Sequence, residues 1–205
     1  MIGAAGVGKT ALLSQFQTSE AINPYDRVKD DTNEESVYVM LNGEESEIRF
    51  SIATEMEKDP LPADAYLILY SVIDKASFDK AESMLRRLQH SPATRYKTAI
   101  LVANKVDLAR SRAVSSQDGR CVACTFNCKF IEVSVGINHN VDELLVGLLT
   151  QIRLKEASPG PTSTSRHWYH SHGMMRASVK ARQVFTWIFG KEDSKFKNCE
   201  NLHIL

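Results

Sequence analysis

Apolar positions alternate between two rhythms over the first 155 residues. Short apolar runs bounded by polar residues read as strands at Ser36–Leu41, Ile48–Ala53, Ala65–Val72, Thr98–Ala103 and Lys129–Ser134. Between them, apolar residues at helical spacing predict helices over Lys9–Gln17, Ser77–Gln89, Ser115–Cys124 and Val141–Arg153. In the last of these, Val141, Leu144, Leu145, Leu148, Leu149 and Ile152 share one face. The runs at 65–72 and 98–103 are continuously apolar, as strands covered on both faces are. Asn42-Gly43 is a strong hairpin-turn signal, so the first two strands should be antiparallel neighbours. The alternation predicts an α/β fold: a mostly parallel sheet with crossover helices and one antiparallel, hairpin-linked edge strand.

The rhythm stops at residues 156–173, where EASPGPTSTSRHWYHSHG is rich in Pro, Gly, Ser and Thr and reads as a linker. Beyond it, residues 174–205 form a basic tail, with Met174–Phe189 as an amphipathic helix and Lys191–Leu205 as a polar stretch ending in an apolar patch. The organisation is therefore a domain over 1–155, a linker over 156–173 and a tail over 174–205, without an internal repeat. A chain of 205 residues has room for one ordinary domain plus such a tail.

Charge changes the picture only locally. Twenty-five basic residues balance 25 acidic ones, so bulk charge names no partner, and no nucleic-acid partner is expected. From Arg153 onward, however, nine Lys or Arg face four acids, a local net of +5, which leaves −5 for the body. A basic tail on an acidic body suggests that the tail meets something anionic. No run approaches the roughly 18–20 apolar residues of a membrane span. No signal peptide is expected, because Met1 runs straight into a glycine loop. Four cysteines in a chain this long do not make a disulfide framework, and reduced thiols on the cytosolic side are expected.

Gly3-Ala4-Ala5-Gly6-Val7-Gly8-Lys9-Thr10 matches the phosphate-loop pattern G-x-x-x-x-G-K-[ST]. Its glycines let successive backbone N–H groups converge on α- and β-phosphates, Lys9 adds a point charge at the β- and γ-phosphates, and Thr10 presents a hydroxyl to Mg²⁺. The helix that follows, with Ala11 in its first turn, aims its N-terminus at the same anion. A glycine-rich turn before an ordinary helix is the plainer alternative, but it leaves eight matching positions unexplained. Asn104-Lys105-Val106-Asp107-Leu108 follows directly on a buried strand. The Asp107 carboxylate can accept both the ring N–H and the exocyclic amine of guanine, a donor pair that adenine lacks. Lys105 would lie along the base plane and Asn104 would brace the two loops.

The N-K-x-D segment resembles that of GTP-binding proteins, and its position about 95 residues after a phosphate loop strengthens the match. Glu132-Val133-Ser134-Val135 resembles the third nucleotide loop of Ras-like proteins, with Ser134 and the Val135 amide at the base; a plain strand end stays open as the alternative, because Val135-Gly136 departs from the usual Ala-Lys. The stretches ALLSQF, LNGEESEIRF, AYLILYSVIDKASFDKA, CKFIEVSV and NHNVDELLVGLLTQIRLK, with the terminal KFKNCENLHIL, resemble the RGK subfamily of Ras-like GTPases over almost the whole chain apart from the linker. That resemblance implies a Ras-like P-loop fold that holds GTP or GDP with Mg²⁺. It also implies that a buried central strand precedes the phosphate loop. Only Met1-Ile2 stand there, so the first central strand is expected to be missing or truncated, Met1 to be an internal methionine of it, and the sheet to be destabilised.

Where a Ras-like GTPase carries Asp-x-x-Gly and then Gln, this chain has Ser51-Ile52-Ala53-Thr54-Glu55-Met56-Glu57. Neither the Mg²⁺-side Asp, nor the γ-phosphate Gly, nor the water-orienting Gln is present, and Thr54 stands near the Asp position. Thr32 offers a second Mg²⁺-side hydroxyl, although a solvated loop threonine is the plainer reading. Hydrolysis is therefore expected to be very slow or absent, and no catalytic residue is assigned. Cys121-x-x-Cys124-x-x-x-Cys128 lacks a fourth ligand at zinc spacing; its simpler role is to pack a helix against the following strand. His167, His170 and His172 sit in the linker, where solvation is simpler than metal binding.

Cys199 stands seventh from the end, which is not the prenylation spacing, so no prenyl anchor is expected. Three readings of Met174–Phe189 stay open: a membrane-surface helix that inserts Phe185, Trp187, Ile188 and Phe189 while Arg176, Lys180 and Arg182 meet anionic lipid, a calmodulin target, or a helix docked on the body. The resemblance favours lipid and calmodulin. It further implies a negative regulator of voltage-gated calcium channels, acting through the channel β subunit at the cytoplasmic face of the plasma membrane. It also implies a 14-3-3 partner through a serine in the terminal peptide; Asn198 before Cys199 counts against that partner, with Ser194 nearby. An ordinary switching GTPase and a pseudo-GTPase scaffold that binds no nucleotide are the rival readings.

Overall fold

The computed structural model describes residues 1–19, 35–41, 43–55, 63–157 and 197–204. A four-stranded parallel sheet runs in the order β1 (Ile2–Gly3), β4 (Ala65–Ser71), β5 (Thr98–Asn104), β6 (Lys129–Glu132). The hairpin β2 (Glu35–Leu41) and β3 (Glu44–Phe50) forms a separate antiparallel pair. Helices α1 (Lys9–Ser19) and α4 (Val141–Ala157) cover one face, and α2 (Lys75–His90) and α3 (Ser116–Thr125) the other. A short helix, α5 (Lys197–Glu200), follows near the C-terminus.

The sequence pattern dictates these layers. Leu67 and Leu69 of β4 point into the layer with Phe16, Leu144 and Leu148, while Ile68 and Tyr70 point into the layer with Phe78, Leu85 and Val122. Alternate residues of one strand thus feed opposite cores, as a pleated strand buried on both faces must. On α2, Phe78, Ala81, Met84, Leu85 and Leu88 are buried at helical spacing, each large side chain contributing roughly 1.5–3 kcal/mol. Asp74 caps that helix by accepting a hydrogen bond from the Ala76 amide, so α2 begins two residues before the run read from periodicity. Ser115 and Asp118 form a reciprocal capping box at α3.

The first central strand, expected to be missing or truncated, is present over two residues: Ile2 pairs with Ile68 and Gly3 with Leu69. The antiparallel hairpin stands as its own two-stranded sheet. Beyond β3, Ala53 forms a parallel bridge with Ile2 of β1. β3 occupies 44–50 rather than 48–53, because Leu41 pairs with Glu44 across a two-residue turn in which Gly43 adopts a φ of +83°. The domain helix α4 continues to Ala157, two residues into the span read as linker. The rest of the linker, the Met174–Phe189 helix, Ser194, Thr32, Asn42, Met56 and Glu57 lie outside the described residues.

The sequence places the C-terminal peptide in a tail; in the structure residues 198–204 pack on the body along β6, the outer strand of the main sheet. Cys199 enters the core on the α2–α3 face and Leu202 the core on the α1–α4 face. Gly147 makes room for Leu202: any Cβ there would lie 2.5 Å from its Cδ1. Polar contacts hold the same peptide, with Lys129 Nζ donating to Asn198 O at 2.7 Å and Gln151 Nε2 donating to Leu202 O at 2.7 Å and Ile204 O at 2.6 Å. An otherwise open sheet edge is thereby covered. Leu202→Ala is expected to lower the unfolding free energy by about 2–4 kcal/mol in denaturant titration. A loss below about 0.5 kcal/mol, the usual effect of a surface change, would show that the peptide does not pack there in solution.

Candidate nucleotide-binding site

β1, β4 and β5 run parallel and deliver their C-terminal ends to one edge of the sheet, the usual place for a ligand crevice in an open α/β sheet. Loop 3–10 leaves β1 at this edge and opens α1. Gly6 and Gly8 take φ values of +74° and +99°, conformations that side chains rarely adopt. Gly3 is needed for a second reason, since a Cβ would run into the Leu69 carbonyl oxygen. Val7 is buried in the core and anchors the loop from below, while Ala5, Gly6, Thr10 and Ala11 face solvent. Lys9 is buried, and its Nζ donates to Gly3 O at 2.7 Å and Ala4 O at 2.8 Å. Two of its three N–H donors are thus used within the loop, which leaves one to face an anion. Burial, and then the charge of Lys80, lower the Lys9 pKa, so an anionic group placed against it would relieve both.

Asn104 ends β5, almost fully buried. Its Nδ2 donates to Val7 O at 2.9 Å, and its Oδ1 accepts from the Lys105 amide at 2.7 Å and the Val135 amide at 3.4 Å. Gly8 lacks the Cβ that would collide with that amide nitrogen. Lys105, at a φ of +66°, extends its Nζ to Gly6 O at 2.7 Å and lies across the top of the phosphate loop. Ser134 is fully buried and donates to Asp107 Oδ1 at 2.5 Å. Asp107 itself is exposed, with one carboxylate oxygen held and the other left toward solvent. The Val106 amide donates to Val133 O at 3.4 Å, and the Ser134–His139 bridge closes the loop that carries Val135. Loops 3–10, 104–108 and 134–135 therefore meet as one interlocked surface, with Leu108 exposed at its rim. Ser134 and Val135 both engage the neighbouring loop, through Asp107 and Asn104.

The metal side is sparse. Ala53 exchanges hydrogen bonds with Met1 and Gly3, so Thr54 and Glu55 leave the sheet beside β1. Thr54 is exposed, and the Glu55 carboxylate is paired with Lys80 Nζ at 3.1 Å. Thr10 is exposed at the end of the phosphate loop, and the one carboxylate of 51–55, that of Glu55, is turned to Lys80. Among the described residues no group of three or more His, Cys, Asp or Glu is placed to hold a metal. Sequence reasoning missed one group at this edge. Lys80 is one of several helix lysines, and nothing in its neighbourhood along the chain marks it.

Residues 1–154 match the Ras family. The human GTP-binding protein RAD is 35% identical, with all of this chain covering 69% of its length. The human GTP-binding protein GEM is 33% identical, with all of this chain covering 73% of its length. The human GTP-binding protein REM 1 is 35% identical over 76% of this chain and 54% of its own. The chain therefore belongs to the Ras family of GTP-binding proteins, within the RGK subfamily that includes Rad, Gem and Rem.

Proposed function

We propose that this protein is a guanine-nucleotide-held regulator with little or no GTP hydrolysis, which restrains voltage-gated calcium channels from the cytoplasmic face of the plasma membrane. The observation that carries the nucleotide half is the junction of three loops through Asn104, with an exposed Asp107 carboxylate beside it. In this reading the amides of Gly3–Thr10 and Lys9 hold the phosphates, with Ala11 at the mouth of α1. Asp107 accepts from guanine, Lys105 and Leu108 flank the base, and Ser134 with the Val135 amide fixes the Asp107 side. Thr10 would hold Mg²⁺, which when bound neutralises charge on the β- and γ-phosphate oxygens.

Turnover is expected to be poor for a reason visible in the chain. Ser51–Glu55 supplies no metal-side Asp, and Glu55 pairs with Lys80. With no glycine amide for the γ-phosphate and no glutamine to orient water, the transition-state charge gains few partners. Single-turnover GTP hydrolysis is expected to run at least about tenfold below the roughly 3–5 × 10⁻⁴ s⁻¹ of an unassisted Ras protein. A rate in that range or above would instead identify an ordinary switching enzyme.

The regulatory half rests on membership of the RGK subfamily. It comprises the channel β subunit as target, calmodulin as a second partner, and anionic inner-leaflet lipid for the basic Met174–Phe189 segment. The local net of +5 beyond residue 152 supports the lipid contact. Lys9→Ala is expected to weaken GDP and GTP binding by at least about 100-fold, because it removes the buried charged donor. It should also relieve channel suppression, measured as calcium current in cells that express the channel with its β subunit. Suppression that persists despite lost nucleotide binding would exclude nucleotide as the controlling ligand.

A further inference from the structure

The C-terminal peptide brings a cysteine against another cysteine far away in sequence. Cys124 Sγ on α3 and Cys199 Sγ on α5 share a hydrogen bond at 3.4 Å. Neither is in a disulfide. The approach does not depend on the sulfurs, because contacts on either side hold it. Arg120 Nε meets Glu200 Oε1 at 2.5 Å, Lys129 Nζ holds Asn198 O, and Leu202 is seated against Gly147. Cys124 is exposed and open to a small reagent, whereas Cys199 is buried beneath it.

We propose that Cys124 and Cys199 are a reversible thiol–disulfide pair that fastens the C-terminal peptide to α3 under oxidising conditions. The oxidant is a hydroperoxide. The Cys124 thiolate attacks the distal peroxide oxygen, the O–O bond breaks, and the alcohol or water leaves with a proton, giving a sulfenic acid. Cys199 Sγ, losing its proton, attacks Cys124 Sγ, and the hydroxyl departs with that proton as water. In sum, two thiols and one hydroperoxide give one disulfide, one alcohol or water, and one further water. A thiol reductant reverses the change by exchange.

The division of labour follows from the surroundings. The contact between the two sulfurs lowers the Cys124 pKa and raises that of Cys199. Cys124, the exposed member of the pair, is the one that meets the peroxide. The neighbouring thiols are poorer candidates. Cys128 is buried, which pushes its pKa up to about 12. Cys121 lies three residues earlier on the same helix, where Cβ atoms stand about 5–6 Å apart, beyond the roughly 3.5–4.5 Å of a disulfide. Closing the Cys124–Cys199 gap to about 2 Å asks only for a small side-chain adjustment. The bond would covalently close the chain between α3 and α5, which encompasses the Met174–Phe189 segment.

The test treats the native 205-residue chain with equimolar hydrogen peroxide, blocks remaining thiols, and maps unreduced peptides by mass spectrometry. The expected product is a monomer about 2 Da lighter, with Cys124 joined to Cys199. Cys121→Ser should leave that link intact, and Cys199→Ser should abolish it while a sulfenic acid accumulates on Cys124. Unmutated protein should unfold roughly 5–10 °C higher after oxidation and return on adding dithiothreitol, a readout that needs no variant to fold. A dominant Cys121–Cys124 link or intermolecular dimer would overturn the proposal. So would Cys124 passing to sulfinic acid without a link, or equal linkage in urea-unfolded chain.

Discussion

The side chain of Asn104 is the constraint on which the nucleotide surface depends. It is one buried amide with both ends in use: its nitrogen reaches the carbonyl of Val7, and its oxygen collects the amides of Lys105 and Val135. Three loops drawn from distant parts of the chain thereby share one reference point at the end of β5. Gly8 is the counterpart of that constraint, because any Cβ there would displace the amide. Leaving such a group unpaired in the interior costs about 1–3 kcal/mol, so the loops hold one another in place before any ligand arrives. Lys105 over Gly6 and Ser134 under Asp107 extend the same bracing to the phosphate and base ends.

Around that point the sheet is unevenly built. β4 and β5 pair over seven residues and form the rigid centre, whereas β1 contributes two. The hairpin packs on the body through apolar contacts, including Phe50 stacked on Phe16 at 5.5 Å between centroids, and through Arg153, which reaches Leu41 O and Ser46 Oγ. At the opposite edge the C-terminal peptide covers β6 and inserts one side chain into each core layer. The segment that carries the cysteine of the redox proposal therefore also completes the edge of the fold.

The α/β class, the parallel pairing and the phosphate and base loops were legible because each rests on local signals: continuous apolar runs, a glycine-lysine loop, and a carboxylate at a strand end. The Asn42-Gly43 turn likewise fixed the hairpin register. What stayed hidden was long-range. A charged residue such as Lys80 looks ordinary until folding sets it beside Glu55, where its charge is felt by Lys9. The C-terminal peptide reads as a polar tail, since Cys199 and Leu202 are too few to form a pattern; their partners Gln151, Gly147 and Cys124 lie 51 or more residues away. The short helix extensions at Asp74 and Ala157 were missed because capping and propensity carry a helix past its apolar stripe.

The central claim is that guanine nucleotide is held by its base and its α- and β-phosphates, with little sensing of the γ-phosphate. Titrating the 205-residue chain with fluorescent GDP and GTP, with and without Mg²⁺, measures this directly. Comparable affinities for the two nucleotides are expected, within about tenfold, with adenine nucleotides at least about 100-fold weaker. A GTP preference of about 100-fold that depends on Mg²⁺, or equal binding of adenine nucleotides, would contradict the account.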